Sequence, residues 1–290
     1  MENSVNLKIS VDVEDELDEI IPPSQSILKL LEVTSDEDYS MKSIVKVISE
    51  DAHLTAEILK IINSAAYSLS NQIDSLHTAI TLLGERIVFS LAMRLGTNLG
   101  ENLCGYFCEE HGLWKHSLRT AISAKLLAPY ARKTVNVDVA YTGGLLHDLG
   151  KSVVSKKIEE LHTKEAVTEK YQQYQDEKKS CFLKFEESLV GFNHSGAGHY
   201  LAKEWGFPES LVQVISYYHY PELSDEEHKS LVFCVHMADF VASMTGGSTG
   251  IDSMSYELST NYKQYFDLKA SDLERVAFEL ERQFKKVYKN

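Results

Sequence analysis

The stretch Gly144-Leu-Leu-His-Asp-Leu-Gly-Lys151 places a histidine beside an aspartate in an otherwise apolar run. An imidazole and a carboxylate together suit iron, manganese, zinc and nickel, so His147 and Asp148 are candidate metal ligands. Neighbouring side chains on a helix point about 100° apart and can still converge on a cation between them. If the helix continues, Lys151 shares a face with His147 and would offer charge to an anionic substrate. The simpler alternative is a lysine at the end of a short helix, with Gly150 as the stop signal.

The composition limits the class of protein. The 290 residues are 43% hydrophobic and 25% charged, which suffices for one large domain or two small ones with buried cores. The net charge of −14 disfavours nucleic acid and anionic membranes as partners. No apolar run could span a bilayer and the acidic N-terminus lacks a signal pattern, so we expect a cytoplasmic protein. Cys104, Cys108, Cys181 and Cys234 form no CxxC pair and are expected to be buried, reduced thiols.

The first half of the chain has the pattern of a helical bundle. Weak alternation in residues 1–19 predicts an edge strand or a loose arm. From Ser24 to about Gly100, aliphatic residues recur at helical spacing, and Asp51 is a predicted N-cap. This half contains few histidines or clusters of acids. We therefore assign it a structural role.

The second half is also helical, with three less regular features. Residues 155–187 are highly charged and predict solvated helices, or a flap over a cleft. Two Ser-x-x-Glu capping boxes, at Ser224 and Ser271, predict helix starts. The glycine-rich residues 244–260 lack the Gly-Lys-Ser/Thr ending of a phosphate loop, so we expect a flexible connection. The apolar stripe in residues 273–287 predicts a last helix that docks on the bundle or forms a dimer surface.

Further candidate ligands lie on both sides of the doublet. Asp239 lies in an otherwise apolar helical segment, where a lone carboxylate is costly unless it is paired or bound to a metal. The full series, in chain order, is His116, His147-Asp148, His194, His219 and Asp239. This order resembles the HD superfamily of metal-dependent phosphohydrolases. His199 is expected to be structural, and His236 to have no special task.

The first half narrows the resemblance. Ile21-Pro-Pro-Ser24, Leu54-Thr-Ala-Glu-Ile-Leu-Lys60, Asn63-Ser-Ala-Ala-Tyr67 and Ala79-Ile-Thr-Leu-Leu-Gly84 look like the HDOD domain, the "HD-related output domain" of bacterial signalling proteins. The resemblance covers roughly residues 18–245. It implies an all-α, multi-helix bundle in two packed helical subdomains. The expected divisions are an extension (1–19), an HDOD domain (20–245, with halves 20–105 and 106–245), and a loop with a C-terminal helix (246–290).

The resemblance also implies a ligand set. One divalent ion would be held by His116, His147, Asp148 and Asp239, and a second would share Asp148 and add His194 and His219. Bimetallic relatives often have two adjacent histidines where this chain has Tyr218. A neutral phenol is a poor ligand, so the second ion is expected to bind more weakly or to be absent. We expect one or two divalent ions per chain, with iron or manganese as candidates.

Two functions follow from these features. We favour a bacterial signal-transduction protein that acts mainly as a binding module. Its partner would be a signalling protein or a small phosphorylated ligand. The alternative is a metal-dependent phosphohydrolase, phosphodiesterase-like, acting on a nucleotide or another phosphoester. In that reaction the ion would lower the pKa of a bound water at Asp148, and Lys151 would stabilise the developing negative charge.

Two further interpretations are weighed against these. Relatives that hydrolyse a cyclic dinucleotide have a Gly-Tyr-Pro motif, whereas His219 here is followed by Tyr220-Pro-Glu-Leu. That reaction is therefore disfavoured. A purely structural scaffold without metal would require the ligand pattern to be a coincidence.

Overall fold

A computed structural model describes residues 7, 9–10, 13–14, 17, 22–35, 41–63, 73–96, 106–107, 112–176, 181–247, 249–252 and 255–287. Within these ranges the chain is helical, and its only β-type pairings are isolated bridges, Tyr106 with Gly250 and Ala131 with Phe266. The prediction of an all-α fold is confirmed. None of the helices seen in these ranges is long and apolar enough to cross a membrane.

Five helices form the first half of the bundle. They are α1 (Gln25–Ser35), α2 (Met41–Glu50), α3 (Ala52–Ile62), α4 (Leu76–Leu83) and α5 (Glu85–Gly96). The predicted N-cap is confirmed, because the Asp51 side chain accepts a hydrogen bond from the Leu54 amide at 2.9 Å. Ile27, Leu30 and Ile58 are completely buried. The aliphatic residues at helical spacing therefore form the core of this half.

The second half is built around a long central helix. Its helices are α6 (Gly112–Leu127), α7 (Val137–Leu146), α8 (Lys151–Leu161), α9 (Lys164–Asp176), α10 (Phe182–Val190), α11 (His194–Glu204), α12 (Glu209–Tyr217) and α13 (Lys229–Met244). The C-terminal part adds α14 (Tyr262–Tyr265) and α15 (Ala270–Val287). Helix α6 packs against α7, α13 and α15. Because α6, α7 and α13 are neighbours, residues distant in sequence meet at their ends.

Helices α5 and α7 join the two halves. Arg86 Nη2 on α5 lies 2.6 Å from Asp138 Oδ1 on α7. One turn further along, Ser90 Oγ and the Tyr141 hydroxyl are hydrogen-bonded at 2.6 Å. Ser90 and Tyr141 are buried, and α1 also packs on α7. The halves therefore share a polar contact inside an apolar interface.

The N-terminal residues that the structure describes are not extended. Val13, Glu14 and Leu17 are helical, and Leu17 is 2% exposed. The edge-strand alternative is therefore wrong for these residues. The weak alternation failed as a predictor because Ile9, Val13 and Leu17 also repeat at the spacing of one helix face.

Both predicted capping boxes are wrong. Ser224 Oγ donates to the Pro221 carbonyl at 2.8 Å and closes a short 3₁₀ turn, and α13 begins at Lys229 without a side-chain cap. Ser271 lies inside α15, where Asp272 accepts a hydrogen bond from the Lys269 amide at 3.0 Å. A Ser-x-x-Glu pattern near a helix start therefore does not by itself locate the first residue.

The charged residues 155–176 and 181–187 form helices packed on the bundle, and a flap is not observed in these two described ranges. Val167 and Tyr171 on α9 are buried. Tyr171, Phe182 and Phe185 form a cluster with ring centroids 4.9 to 5.5 Å apart. Most of the charges lie on the outer faces, whereas Glu186 is completely buried, so composition alone gave an incomplete description of this region.

Two of the four cysteines can be assessed. Cys234 is completely buried, and burial raises the pKa of its thiol. Cys181 is half-buried, with its Sγ 3.1 Å from the Tyr220 hydroxyl. Both are free thiols, so the prediction of a buried, reduced cysteine is confirmed for Cys234 and only partly for Cys181. Cys104 and Cys108 lie outside the described residues.

Candidate metal centre

The histidine–aspartate doublet lies in a turn between two helices. Helix α7 ends at Leu146, and α8 begins at Lys151. The helix does not continue from His147 to Lys151, so the condition under which these two residues would share a helix face is not met. Instead, the break in the helix turns Lys151 towards Asp148, and its Nζ lies 3.1 Å from Asp148 Oδ2.

Gly150 has a packing role rather than a terminating one. It is the N-cap of α8, with φ −70°, so its backbone conformation does not require glycine. A Cβ at this position would lie 2.0 Å from the His194 carbonyl oxygen and 2.6 Å from the Gly198 amide. The missing side chain therefore allows the turn to pack directly on the backbone of α11. The interpretation of Gly150 as a helix stop is wrong.

Four of the predicted ligands converge on one point. His116 projects from α6, Asp239 from α13, and the doublet from the turn after α7. The candidate ligand atoms of His116, His147 and Asp239 all lie within 4.8 Å of one another. His116 Nε2 is 3.0 Å from Asp239 Oδ1, and Asp148 Oδ2 is 3.3 Å from His147 Nε2 and 3.7 Å from His116 Nε2. This is a compact cluster of two imidazoles and two carboxylates.

Backbone carbonyls orient both imidazoles. His116 Nδ1 lies 3.2 Å from the Gly247 carbonyl, and His147 Nδ1 lies 2.8 Å from the Gly144 carbonyl. A proton on each Nδ1 would leave each Nε2 facing the carboxylates with a free electron pair. His147 Nε2 is buried and lacks a hydrogen-bond partner in the part of the chain that the structure describes. An unpartnered nitrogen in such a cluster fits a divalent cation.

Opposite charges within the cluster offset the effect of burial on the pKa values of its residues. Burial by itself would lower the pKa of His116, but the hydrogen bond and charge of Asp239 outweigh it and raise that pKa. Burial would likewise raise the pKa of Asp148, yet its interactions with His147 and Lys151 hold that pKa well below the usual range. Asp148, Asp252 and Asp239 keep the pKa of buried Lys151 high. Lys151 is therefore a cation and Asp148 a carboxylate.

His194 and His219 form a separate pair beside this cluster. Their Nε2 atoms are 2.9 Å apart, and the Tyr218 hydroxyl lies 2.9 Å from His194 Nε2. The Tyr218 hydroxyl donates to Asp148 Oδ1 at 2.5 Å. Burial and the neighbouring His194 lower the pKa of His219 well below its usual value. The structure thus brings four predicted ligands together and places Tyr218 between them and the remaining two.

The covering segment, residues 247, 249–252 and 255–259, closes over the cluster. Asp252 Oδ2 lies 2.7 Å from Lys151 Nζ, and the Tyr256 ring stacks on His219 with centroids 3.7 Å apart. The Ser259 amide donates to His236 Nε2 at 2.9 Å. The prediction that residues 244–260 form a flexible connection is wrong for these residues, because they pack against the site. His236, to which no task was assigned, holds this segment in place.

The covering segment is also anchored from the other side. The Tyr106 amide donates to the Thr249 carbonyl at 2.9 Å, and the Ile251 amide donates to the Tyr106 carbonyl at 3.3 Å. Gly250 has φ +113°, and a Cβ there would lie 2.1 Å from the Tyr106 carbonyl oxygen. Only glycine satisfies both the positive φ and the close approach.

Three residues of the site were missed from the sequence. Glu186 is completely buried on α10 and contacts His194 Nδ1 at 2.7 Å, while Asp252 and Tyr256 belong to the covering segment. Glu186 falls on the apolar face of α10 together with Phe182 and Phe185, which was a usable signal. No periodicity marks Asp252 or Tyr256. His199 binds Ser216 Oγ at 2.8 Å, in agreement with the structural role expected for it.

Comparison with known proteins identifies the family. The profile of the HDOD domain matches residues 20–221. The chain belongs to the HDOD family. The match ends before Asp239 and the covering segment, so part of the cluster lies beyond the matched residues. The resemblance stated from the sequence motifs is thereby confirmed.

Similar proteins support the fold. A curated relative, an uncharacterized protein of Treponema pallidum (strain Nichols), is 25% identical over 256 residues. This match covers 88% of this chain, which spans about half (48%) of that relative. A candidate signal-transduction protein of Marinobacter aquaeolei VT8 superposes with TM-score 0.68 and 21% identity, over 97% of this chain and 61% of the other.

Two further solved structures are similar in fold over nearly their whole length. An HDOD domain protein of unknown function from Geobacter sulfurreducens gives TM-score 0.63 at 22% identity, covering 96% of this chain and 97% of the other. A candidate metal-dependent phosphohydrolase from Shewanella amazonensis SB2B gives 0.52 at 21% identity, with the same coverage. At such identities the similarity extends to the fold alone.

Proposed function

We propose that this HDOD protein is a signal-transduction protein that acts as a binding module around one enclosed divalent ion. The observation that supports this proposal is the burial of the cluster. His116, His147, Asp148 and Lys151 are each no more than 2% exposed. A phosphoester substrate would have to reach Lys151, and Asp252 already holds that cation at 2.7 Å. The enclosed arrangement favours a structural or sensory ion over turnover.

The residues present suit a divalent ion. Two imidazoles and two carboxylates are a donor set for iron, manganese or zinc. A bound ion would supply positive charge between Asp148 and Asp239, which lie in a buried environment where unpaired carboxylates are costly. His147 Nε2 is buried and makes no hydrogen bond among the described residues, so coordination by an ion would satisfy it. His116, His147, Asp148 and Asp239 would therefore hold the ion.

The neighbouring pair supports a single ion. A second ion would use His194, His219 and the Oδ1 atom of Asp148. The Tyr218 hydroxyl already donates to Asp148 Oδ1 and lies beside His194 Nε2. Burial and the charge of Asp148 raise the pKa of Tyr218 well above its usual value, so it remains a neutral phenol. A neutral phenol satisfies Asp148 without offering a metal an anionic ligand.

Phosphohydrolase activity is the second candidate, and the position of Lys151 favours it. A buried ammonium group 3.1 Å from Asp148 is suitably placed to stabilise negative charge on a phosphoryl group. Bound metal would supply a water of lowered pKa. This function requires the covering segment to move, because Asp252 must release Lys151 before a phosphoryl group can approach it.

Metal content and turnover, measured on the same samples, test both functions. We expect about one ion per chain in the purified protein, loss of that ion in the variant His147→Ala, Asp148→Ala, and retention in the control His199→Ala. The isosteric variant Asp239→Asn should also lose the metal, and it provides a second test in case the double variant folds poorly. We expect no hydrolysis of bis-p-nitrophenyl phosphate or nucleotides with iron, manganese or zinc. Turnover that Asp148→Ala abolishes would overturn the binding-module proposal in favour of the hydrolase, and absence of metal would overturn both.

A further inference from the structure

A cleft that none of the candidate metal ligands lines is not used by the proposed metal centre. It has a volume of about 320 Å³ and lies between α4 and α5, the pair α6 and α7, and α15. Ile87 and Ile122 provide apolar lining, and Arg86, Lys125 and Arg282 provide cationic groups. A cleft of this volume is at the lower end of the range for small-molecule sites.

The charge of this cleft contrasts with that of the whole chain. The protein has a net charge of −14, yet the cleft is lined by three cations and one carboxylate, Glu279. Arg282 is already paired with Glu279, at 2.6 and 2.7 Å. Arg86 is paired with Asp138 outside the lining, at 2.6 Å. Each arginine therefore already forms an ion pair, Arg282 with Glu279 and Arg86 with Asp138.

Lys125 is the cation of this cleft that makes no direct ion pair among the described residues. It is half-buried and makes neither an ion pair nor a hydrogen bond with any residue in the described ranges. Burial and the nearby positive charge of Arg86 lower the pKa of Lys125, and the charges of Asp138 and Glu279 only partly offset them. A half-buried ammonium beside a guanidinium is unfavourable unless an anion joins them. The cleft therefore presents a position in which an anionic group is stabilised.

We propose that this cleft binds a small organic anion, a phosphate or carboxylate group on an apolar body. The anionic group contacts Lys125 and the outer side of Arg86, and the body rests on Ile87 and Ile122. Arginine and lysine together are well suited to phosphate and carboxylate oxygens. The lining comes from the first half, the second half and α15. The ligand therefore contacts all three parts, and its affinity depends on how they pack together. This site does not depend on the proposed metal centre.

Calorimetric titration of the full, metal-free chain tests the proposal. The probes are adenosine 5′-monophosphate, benzoate and inorganic phosphate, with adenosine as the uncharged comparison. We expect an anionic probe to bind and adenosine not to bind. We expect Lys125→Met, which keeps the aliphatic stem, to weaken binding at least about tenfold. The matched control Lys156→Met removes a charge from a side chain that is 79% exposed on α8, and should leave the affinity unchanged.

A second readout locates the site independently of folding defects. Lysine acetylation followed by mass spectrometry should show that a binding anion protects Lys125 and not Lys156. Arg282→Gln, at a side chain that is 55% exposed, provides a second variant that should weaken the same probe. Failure of every anionic probe at about 10 mM, or binding that Lys125→Met leaves unchanged, would overturn the proposal. Loss of binding in Asp239→Asn but not in Lys125→Met would assign the anion to the metal centre and would equally overturn it.

Discussion

The ammonium group of Lys151 lies 2.7 Å from a carboxylate oxygen of Asp252, and both residues are buried. Lys151 opens α8, whereas Asp252 lies in the covering segment about a hundred residues later in the chain. The same lysine contacts Asp148, so one cation links the covering segment to the histidine–aspartate doublet. The closure of the site depends on this ion pair.

Asp252→Asn should therefore destabilise the protein. Removing one charge of a buried pair leaves Lys151 with only part of its compensation, and we expect the free energy of unfolding to fall by about 3 kcal/mol. The matched control is Asp267→Asn, at a side chain that is 81% exposed and 3.9 Å from Arg132, where the change should be below about 0.5 kcal/mol. Urea denaturation compares the two variants. Equal effects would show that the Lys151–Asp252 pair does not stabilise the fold.

Gly150→Ala tests the close contact between the doublet turn and α11. A Cβ 2.0 Å from a backbone oxygen has no flexible side chain to displace, so we expect a loss of about 3 kcal/mol or failure to fold. Gly143→Ala, in α7, is the matched control. Its Cβ would meet only Val214 and Val235 side chains at 3.4 to 3.5 Å, and alanine favours helix, so stability should hold or rise by up to about 1 kcal/mol. Thermal unfolding ranks the two variants, and the reverse order would contradict the packing argument.

Divalent metal should stabilise the wild-type chain by linkage. An ion that binds only the folded state raises the free energy of unfolding by about 2.7 kcal/mol at a hundred times its Kd. Asp239→Asn should abolish this gain, because it removes one carboxylate of the cluster while preserving side-chain shape. Thermal unfolding with and without manganese, and again after chelation, measures the difference. The same gain in Asp239→Asn would place the ion elsewhere.

Tyr141 should make the protein sensitive to alkaline pH. Burial raises its pKa to about 12, whereas an unfolded tyrosine titrates near 10. The folded state therefore retains a proton that the unfolded state loses, and stability falls as pH rises from about 10 to about 12. Tyr141→Phe lacks this titration and also the hydrogen bond to Ser90. It should be less stable than the wild type at pH 8, by about 1 kcal/mol, and the order should reverse by pH 11.5, where the wild type has lost about 2 kcal/mol. Guanidinium denaturation at the two pH values checks this, and a constant gap would contradict it.

The sequence predicted structure correctly where a residue's chemistry coincided with a regular helical spacing. Asp51 capped α3 as predicted, because a carboxylate three residues before a free amide is a local arrangement. His116, His147, Asp148 and Asp239 converged as predicted, because each lies at or near the end of a helix that packs on α6 or is α6 itself. Residue chemistry singled out the doublet and Asp239, and the family resemblance joined them with His116 in one ligand set.

The sequence was uninformative where contacts join distant, irregular segments. The contacts of Asp252 with Lys151 and of Tyr256 with His219 depend on how residues 249–259 fold back across the bundle. A glycine-rich segment has no periodicity that records such a path. The sequence also left open whether the helix continues past His147, because the turn there combines local hydrogen bonds with a close contact of Gly150 on α11 that no local pattern records.

The enclosure of the metal centre has a kinetic consequence. An ion held by four ligands that are at most 8% exposed, beneath a segment held by Lys151, His236 and Tyr106, would leave only when that segment opens. Extraction by a chelator would then proceed at the rate of local opening and become independent of chelator concentration. Loading would be fastest while the newly made chain is still folding, so the metal acquired at synthesis would be retained for the lifetime of the protein.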